Sequence, residues 1–403
     1  MSVSKKILFF VLDGASDRPV DGWTPLQSAG TPNLDKIAEM GISGIMDTIA
    51  PGIRPGSDTA HLSLLGYDPY KFYTGRGPFE AAGIGIDVKP GDIAFRCNFA
   101  TIKDGLIVDR RAGRIRETGE LAHSIMEEID LGLDFIFKES TGHRAALVLR
   151  GEDLSPEVTS NDPKHENKPM KEITYESPVG KKTAEVLREF VSQASKILYS
   201  HPVNAERIKA GKRPANTILL RGAGMVPDME DFEERYGLKP AVVAAAGLVI
   251  GIGKMCGMEH ISVEGTTGGI DSDVVRKVNT AIKSLDDYDF VLVNIKGADE
   301  AGHDGEFEAK RDFIGKIDDA FADVSGLEDT LVVVTVDHST PVSIRDHSAD
   351  PVPVMMSGHG VRRDDVNSYD EISAAKGGLH RIRGMDLIPI LMDLIDRTSK
   401  FGA

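Results

Sequence analysis

Ser57 stands at a point of the chain where a hydroxyl group could take part in phosphoryl transfer. Pro55-Gly56 precedes it and residues 58–65 form a mostly apolar run, so the pattern predicts a turn and then a helix that begins near Ser57. The first N–H groups of a helix lack partners within the helix, and the helix dipole is positive there. An alkoxide or a phosphate is therefore stabilised at this position. The alternative is that Ser57 or Asp58 is an ordinary N-cap.

Acidic residues and histidines follow three continuous apolar runs. These are Asp13 after residues 7–12, Asp299 and His303 after residues 290–295, and Asp337 and His338 after residues 331–336. Such runs predict strands that are buried on both faces of a parallel sheet. The carboxyl ends of the strands meet at one edge, where ligands bind, and His347 offers a further imidazole. Any one of these residues alone could be an N-cap or a surface charge. Together they predict a site at this edge.

This set of carboxylates and imidazoles predicts a site for paired divalent cations. Mixed oxygen and nitrogen ligands suit Mn²⁺, Zn²⁺ and related ions better than Ca²⁺, which takes oxygen ligands. With two ions about 4 Å apart, one would lower the pKa of the Ser57 hydroxyl and the other would hold a phosphoryl oxygen. Ser57 would attack phosphorus in line. The charge on the transferred group would be held by the ions, by Lys296 and by helix N–H groups.

The order of the predicted strands indicates an α/β protein with two domains, which a length of 403 residues also suggests. Buried strands near both ends of the chain predict a doubly wound, mainly parallel sheet. Between them, shorter alternating runs at residues 93–102 and 145–149 indicate antiparallel strands. We therefore predict a discontinuous core of residues 1–86 and 212–403, interrupted by a smaller inserted α+β cap domain of residues 87–211.

Two further assignments follow from local patterns. The glycine-dense segment at residues 74–85 has neither Walker spacing nor a preceding buried strand, so we predict a loop there. The apolar run Thr217 to Leu220 is predicted to be a strand of the core, because the chain is expected to return to the core at residues 212–216.

An arginine cluster lies in the predicted cap of this acidic chain. Guanidinium groups match carboxylates and phosphates in geometry, so these residues are candidates for binding an anionic substrate. The candidates are Arg96, Arg110, Arg111 and Arg114, with Arg144 and Arg150 as alternatives. A solvated face with ion pairs to Glu117 and Glu120 is the competing interpretation. We expect the cap to hinge near Asp87 and Gly211 and to close on the substrate.

Composition excludes several other classes of protein. The formal net charge of −16 argues against a general nucleic-acid binder, because phosphate backbones are bound by excess Lys and Arg. Hydrophobic residues make up 41% and charged residues 27%, a soluble globular profile, and the longest apolar stretch, residues 241–252, is too short to cross a bilayer. Two distant cysteines and a start without a signal-peptide core predict a disulfide-free cytoplasmic protein. The expected partner is a small-molecule substrate, and a homo-oligomer is compatible with the sequence.

The residues discussed so far carry a resemblance to a known family. The motifs are Val11-Leu12-Asp13-Gly14, Gly56-Ser57-Asp58-Thr59-Ala60-His61, Lys296-Gly297-Ala298-Asp299-Glu300-Ala301-Gly302-His303-Asp304-Gly305, Val336-Asp337-His338, and His347 before Pro351-Val352-Pro353. Together they span nearly the whole chain. The chain resembles the archaeal-type 2,3-bisphosphoglycerate-independent phosphoglycerate mutases of the alkaline phosphatase superfamily, and this resemblance implies an alkaline phosphatase-like core.

The resemblance implies an isomerase of glycolysis and gluconeogenesis that interconverts 3-phosphoglycerate and 2-phosphoglycerate through a phosphoserine at Ser57. It implies two divalent ions, Mn²⁺, Mg²⁺, Zn²⁺ or Co²⁺, and no 2,3-bisphosphoglycerate. One ion would be bound by Asp13, Ser57, Asp337 and His338, and the other by Asp299, His303 and His347. Among the other histidines, His61, His143, His165, His359 and His380 are left outside the ligand set.

The sequence leaves other functions open. A phosphatase or phosphotransferase of the same superfamily, acting on another small phosphate ester, would use the same metals and nucleophile. Only the cap would then decide whether water or retained glycerate attacks the phosphoserine. A sulfatase needs a Cys/Ser-x-Pro-x-Arg frame, which the segment from Ser57 to His61 lacks. A non-catalytic metal-binding protein would have no reason to keep a full ligand set at strand ends.

Overall fold

The computed structural model describes residues 5–402. Within that range the chain divides into two compact units, the first made of residues 5–73 and 229–402 and the second of residues 74–228. The first unit is discontinuous in sequence. The second contains the whole of segment 87–211, for which we predict a cap domain.

In chain order, the strands among the described residues are β1 Lys6–Leu12, β2 Ile42–Asp47, β3 Ile93–Lys103, β4 Leu106–Asp109, β5 Asp134–Glu139, β6 Arg144–Arg150, β7 Lys168–Pro169, β8 Thr217–Met225, β9 Pro240–Val243, β10 Glu259–His260, β11 Phe290–Ile295, β12 Thr330–Thr335, β13 Val352–Ser357 and β14 His380–Arg383. The helices are α1 Pro25–Ser28, α2 Pro32–Glu39, α3 Ser57–Leu64, α4 Pro69–Phe72, α5 Gly77–Gly83, α6 Gly119–Glu128, α7 Lys181–Ser200, α8 Pro202–Lys209, α9 Phe232–Tyr236, α10 Gly247–Met255, α11 Val274–Ser284, α12 Gly297–Asp304, α13 Phe307–Ala320, α14 Glu371–Ala374 and α15 Gly384–Leu394. Short 3₁₀ turns lie at Ala112–Arg114, Pro178–Gly180 and Val324–Gly326.

The first unit is built on a sheet of eight strands within the described residues, in the order β10-β9-β11-β1-β12-β13-β2-β14. Neighbouring strands are parallel except at β13, which is antiparallel to both β12 and β2. Other strands lie on both sides of β1, the order found in a doubly wound sheet. The predicted α/β fold with a mainly parallel sheet is therefore confirmed.

The central strands are buried because their sequences are continuous apolar runs. From Ile7 to Leu12, no residue of β1 is more than 1% exposed, and β11 and β12 are buried along their whole length. The register pairs Val11 of β1 with Asn294 of β11 and with Thr335 of β12. The residues that follow these three strands therefore leave the sheet at the same carboxyl edge, as predicted.

The second unit is an antiparallel sheet packed against helices. Its strands are β5, β6, β3, β4 and β7 in that order, and β8 pairs with β3. Helices α6 and α7 cover the sheet over a core that includes Phe95, Phe99, Phe137 and Phe190. This is the smaller α+β unit predicted from the alternating apolar runs.

Two local predictions for this part of the chain are wrong. The segment predicted as a loop contains α5, which has Pro78 in its first turn and buries Phe79, Ala81 and Ala82. Its many glycines conceal this short helical pattern. Strand β8 pairs with β3 and so belongs to the sheet of the second unit, whereas we predict a core strand there. An apolar run indicates that a strand is buried but does not indicate which sheet it joins.

No helix within residues 5–402 is long and apolar enough to span a membrane. Cys97 and Cys256 are free and buried, and burial raises the pKa of both thiols. Neither cysteine is therefore activated as a nucleophile.

Candidate active site

Ser57 is the first residue of α3, and its hydroxyl contacts the carboxyl edge of the sheet. The N-cap residue is Gly56, whose N–H donates to Oγ1 of Thr59 over 3.1 Å. The Thr59 N–H donates to Oδ1 of Asp58 over 2.9 Å, and the Ser57 side chain takes no part in these capping contacts. The Ser57 Oγ atom lies 3.0 Å from Nε2 of His338. The interpretation of Ser57 as an ordinary N-cap is therefore excluded, and its hydroxyl is available for chemistry at the end of the helix that favours negative charge.

Asp13, Asp337 and His338 form a first ligand group. One potential ligand atom from each lies within 4.8 Å of the others, and all three side chains are fully buried. The Nε2 atom of His338 lies 3.1 Å from Oδ2 of Asp337 and 3.8 Å from Oδ1 of Asp13. Asp337 and His338 can point to the same place because β12 ends at Thr335, so the pleat no longer turns neighbouring side chains to opposite faces.

Asp299 and His347 form a second group of possible ligands beside the first, with His338 shared between the two groups. His303, the third predicted ligand, lies next to Asp299 but outside the set whose ligand atoms all lie within 4.8 Å of one another. The Nε2 atoms of His303 and His347 lie 3.4 Å and 3.6 Å from Oδ1 of Asp299. Asp299 and His303 share one face of α12 because they are four residues apart. His338 connects the two groups, since its ring stacks on His347 with centroids 3.6 Å apart and its ligand atoms also lie within 4.8 Å of those of Asp299 and His347.

The orientation of the imidazoles suits divalent cations. The Nδ1 atoms of His303 and His347 lie 3.0 Å and 2.9 Å from the carbonyl oxygens of Arg345 and Pro55. A carbonyl can only accept, so each Nδ1 carries the hydrogen and each Nε2 offers a lone pair toward Asp299. The buried Oδ2 atom of Asp337 accepts no hydrogen bond. Carboxylate and imidazole lone pairs thus converge, and the residues present fit two bound cations.

Lys296 places an ammonium group between the two ligand groups. Its Nζ donates to Oδ1 of Asp13 over 3.2 Å and to Oδ2 of Asp299 over 2.6 Å. Burial lowers the pKa of Lys296, but the two carboxylates outweigh burial and raise it above its usual value. The side chain is therefore positively charged and lies where it could contact a transferred phosphoryl group.

The carboxylates of the site differ in their affinity for protons. Burial and the neighbouring Asp337 raise the pKa of Asp13. Burial also favours the neutral form of Asp299, but Lys296 and His338 outweigh it and lower the pKa to about 2. The carboxylates in turn raise the pKa of His338 against the effect of burial. Protons and metal ions compete for these same atoms, so metal binding here depends on pH.

Two residues that the sequence did not single out, Asn294 and Lys277, form a hydrogen-bonded network with His61 next to the ligand groups. The Nδ2 atom of Asn294 donates to Oδ2 of Asp13 over 2.9 Å and lies 3.4 Å from Nε2 of His61. His61 contacts the carbonyl oxygen of Ser57 through Nδ1 at 2.7 Å, and Lys277 donates to the Asn294 carbonyl over 2.9 Å. A signal was present in the sequence, because Asn294 interrupts an otherwise apolar strand.

The four predicted substrate arginines lie in the second unit but not at one place. Arg110, Arg111 and Arg114 line one pocket, together with Lys164 and His165. Arg110 is also held by Asp162, with two hydrogen bonds of 2.8 Å and 2.6 Å. The fourth, Arg96, does not line this pocket, and its Nε lies 3.7 Å from a carboxylate oxygen of Glu80.

Arg221 is a further candidate that the sequence did not single out. It follows the apolar start of β8 and lies 3.6 Å from Asp162, so Asp162 faces both Arg110 and Arg221. The Nε atoms of Arg96 and Arg221 are buried without a hydrogen-bond partner.

The electrostatic potential around His143, Arg96 and Arg221 is positive. Burial, together with Arg144, Arg111, Arg96 and Arg221, lowers the pKa of His143 to about 4. Burial lowers the pKa of Arg96 to about 10, Glu80 opposes this, and Arg221 adds to the lowering. An anion bound here would relieve this repulsion. The alternative Arg150 is bound by Asp92 through hydrogen bonds of 2.9 Å and 2.7 Å.

Comparison with known proteins finds close relatives along nearly the whole chain. The family model described as 2,3-bisphosphoglycerate-independent phosphoglycerate mutase matches residues 38–204. The chain is 56% identical over 412 residues to the protein of that name from Methanoculleus marisnigri, and the match covers 100% of both chains. It is 57% identical over 408 residues to the protein of that name from Methanosphaera stadtmanae, which covers 99% of this chain and 100% of the relative.

Two solved structures have the same fold along the whole chain. A protein from Pyrococcus horikoshii superposes with a TM-score of 0.87 at 39% identity, covering 100% of both chains. The cofactor-independent phosphoglycerate mutase from Thermoplasma acidophilum superposes with a TM-score of 0.75 at 42% identity, covering 97% of this chain and 100% of that one. With identities above 50% over nearly full length, this chain belongs to the family of 2,3-bisphosphoglycerate-independent phosphoglycerate mutases.

Proposed function

We propose that this protein interconverts 3-phosphoglycerate and 2-phosphoglycerate through a phosphoserine at Ser57. The observation that carries the proposal is the position of the Ser57 hydroxyl, at the N-terminus of α3 and 3.0 Å from His338 within a buried cluster of carboxylates and imidazoles. The names of the relatives support the choice of substrate.

The ligand groups define how the metals would be held. Asp13, Asp337, His338 and Ser57 would hold one divalent ion, and Asp299, His303 and His347 would hold the other. When bound, such ions lower the pKa of a coordinated hydroxyl and neutralise charge on phosphoryl oxygens. The mixture of oxygen and nitrogen donors supports Mn²⁺, Zn²⁺ or Co²⁺ over Mg²⁺ and Ca²⁺, which prefer oxygen ligands.

The residues of the first unit would carry the transfer in two steps. Ser57 Oγ forms a bond to phosphorus while the bond between phosphorus and the glycerate oxygen breaks, which leaves phosphoserine and glycerate. The other hydroxyl of the retained glycerate then attacks phosphorus, and Ser57 is released. In both steps the Lys296 ammonium and the N–H groups of α3 stabilise the charge on the transferred group.

The arginines of the second unit would bind the anionic groups of the substrate. A mutase has to keep glycerate bound and exclude water while the phosphoserine exists, whereas a phosphatase only has to admit water. Of the predicted clamp residues Arg96, Arg110, Arg111 and Arg114, we favour Arg96 and add Arg221, because their buried Nε atoms have no hydrogen-bond partner and the electrostatic potential around them is positive. Guanidinium groups bind carboxylates and phosphates in this way.

We further propose that the protein works in the cytoplasm. Both cysteines in the described residues are free thiols, as expected for a reducing compartment.

The family name itself states independence from 2,3-bisphosphoglycerate.

The test is to incubate the protein with 3-phosphoglycerate and Mn²⁺ and to follow 2-phosphoglycerate and inorganic phosphate together. We expect 2-phosphoglycerate to form with little free phosphate, and we expect exhaustive chelation to abolish turnover until Mn²⁺ is restored. Phosphate as the main product would favour the phosphatase alternative. Turnover that persists after chelation would exclude the two-metal site.

A further inference from the structure

Thr340 lies between the two ligand groups and is not itself part of either. It follows β12 by five residues and is fully buried. Its Oγ1 atom lies 3.0 Å from Nδ1 of His338 and 2.8 Å from Oδ1 of Asp299. One hydroxyl therefore contacts a residue of the first group and a residue of the second group at the same time.

The direction of these hydrogen bonds follows from their partners. Asp299 is paired with the Lys296 ammonium at 2.6 Å, so it is a carboxylate and can only accept. The Thr340 hydroxyl consequently donates to Asp299, and its lone pairs face His338. Nδ1 of His338 must then be the nitrogen that carries hydrogen, and Nε2 is directed toward Ser57 and Asp337.

The backbone of Thr340 is fixed as firmly as its side chain. Its N–H donates to the Ser16 carbonyl over 3.1 Å, and its carbonyl accepts from the ammonium of Lys310 over 3.0 Å. That buried ammonium also donates to Ser16 and Asp17, which follow Asp13 in the chain. A Cβ on Gly302 of α12 would lie 2.5 Å from the Thr340 carbonyl, so the helix that carries Asp299 packs directly against this segment.

We propose that Thr340 is a positioning residue that couples the two metal-ligand groups. Its hydroxyl holds the tautomer of His338 that presents Nε2 to the first group, and it holds the Asp299 carboxylate in the orientation that presents Oδ1 to the second. This inference rests on the proposed two-metal function, and goes beyond it by assigning a role to a residue that would not touch metal or substrate.

The test compares Thr340→Val with Thr340→Ser and with a matched control. Valine keeps the shape of threonine and removes the hydroxyl, whereas serine keeps the hydroxyl. The control is Thr335→Val, because Thr335 is equally buried at the end of β12 but donates to the Pro353 carbonyl over 3.1 Å, away from the site. The readout is calorimetric titration of the metal-free full-length proteins with Mn²⁺, without substrate.

We expect Thr340→Val to weaken Mn²⁺ binding by about 10- to 100-fold, the usual effect of removing a partner of a ligand. Thr340→Ser should stay within about threefold of the unaltered protein, as should Thr335→Val. Equal affinities in Thr340→Val and Thr335→Val would overturn the proposal, as would a Thr340→Ser protein that is as weak as Thr340→Val.

A second readout keeps the test independent of folding and of turnover. In metal-free protein labelled with ¹⁵N-histidine, NMR should show a His338 Nδ1–H proton protected from exchange with solvent, and a rapidly exchanging or absent proton would overturn the assignment even if Thr340→Val does not fold. If the protein binds Mn²⁺ as expected but does not interconvert phosphoglycerates, the proposed function fails while the coupling through Thr340 stands.

Discussion

At the scale of residues, the ligands at strand ends could be predicted from the sequence and their supports could not. Asp13, Asp299 and Asp337 each follow an apolar run, and that position alone places them at one edge of a parallel sheet. Asn294 and Thr340 act through partners that are distant in the chain, 281 residues away for Asn294 with Asp13 and 41 for Thr340 with Asp299. A polar residue within an apolar run marks Asn294 as unusual, but no local pattern identifies the distant partner that either residue contacts.

The proposed role of Lys296 predicts opposite effects of one substitution on metal binding and on turnover. Replacement by methionine removes a cation that pairs with Asp13 and Asp299, so Mn²⁺ binding should be retained or tighter. Turnover should nevertheless fall by about 10²- to 10³-fold, because the charge on the transferred group loses a partner. Titration with Mn²⁺ and steady-state kinetics on the same protein measure both effects.

Lys283→Met serves as the control, since Lys283 is an exposed lysine on α11. It should leave both quantities unchanged. A Lys296→Met protein with undiminished turnover would remove Lys296 from the mechanism.

At the scale of elements, strands buried on both faces are predicted well and irregular segments poorly. The runs that form β1, β11 and β12 have no polar face, so their assignment depends on composition alone. Helix α5 is short and flanked by glycines, and β8 is apolar in a way that fits either sheet. In both cases tertiary contacts determine the structure. Helix α5 packs against buried neighbours, and β8 pairs with β3.

Replacement of Gly14 tests how closely the end of β1 packs against α12. Its φ is +66°, and a Cβ there would lie 2.6 Å from Cβ of Asp299. Gly14→Ala should therefore lower the free energy of unfolding by more than the about 1–2 kcal/mol expected for a left-handed backbone alone. Urea denaturation of the metal-free protein measures this change.

Gly22→Ala is the matched control, because Gly22 has a φ of +91° and nothing within 4 Å of the added Cβ. It should show the backbone strain without the steric clash. Equal losses of stability in the two variants would mean that Asp299 can move away from the added Cβ, so that the packing of β1 against α12 is not rigid.

At the scale of the whole molecule, the proposal assigns different tasks to the two units. The first unit contains Ser57 and the carboxylates and imidazoles that could hold metal ions, and the second contains a group of half-buried arginines whose charges add to the effect of burial and lower the pKa of His143. The sequence predicts the arginine-rich character of the second unit. It does not distinguish Arg110, which makes two hydrogen bonds to Asp162, from Arg96 and Arg221, whose Nε atoms make no hydrogen bond.

We expect Arg96→Ala and Arg221→Ala to convert part of the mutase activity into phosphatase activity. Loss of a guanidinium group would weaken retention of glycerate, so water would reach the phosphoserine more often. The ratio of inorganic phosphate to 2-phosphoglycerate released from 3-phosphoglycerate should rise by about tenfold, which corresponds to about 1.4 kcal/mol of lost binding.

Arg188→Ala is the control in the same unit, because Arg188 donates to the Ile173 carbonyl and lies on α7. Its product ratio should be unchanged. If neither Arg96→Ala nor Arg221→Ala alters the ratio of phosphate to 2-phosphoglycerate, the choice of these two arginines is wrong. Arg110, Arg111 and Arg114 would then be replaced next.

Phosphoryl transfer through Ser57 is tested most directly by quenching the protein in acid during turnover of 3-phosphoglycerate and locating the phosphate by peptide mass spectrometry. We predict phosphate on Ser57, absent from Ser57→Ala, whose turnover should fall by about 10³-fold or more. Ser63→Ala, which removes a buried hydroxyl without a hydrogen-bond partner from the same helix, should keep both the phosphoserine and the turnover. Continued interconversion by Ser57→Ala, or phosphate on another residue, would contradict the assignment of Ser57 as the nucleophile.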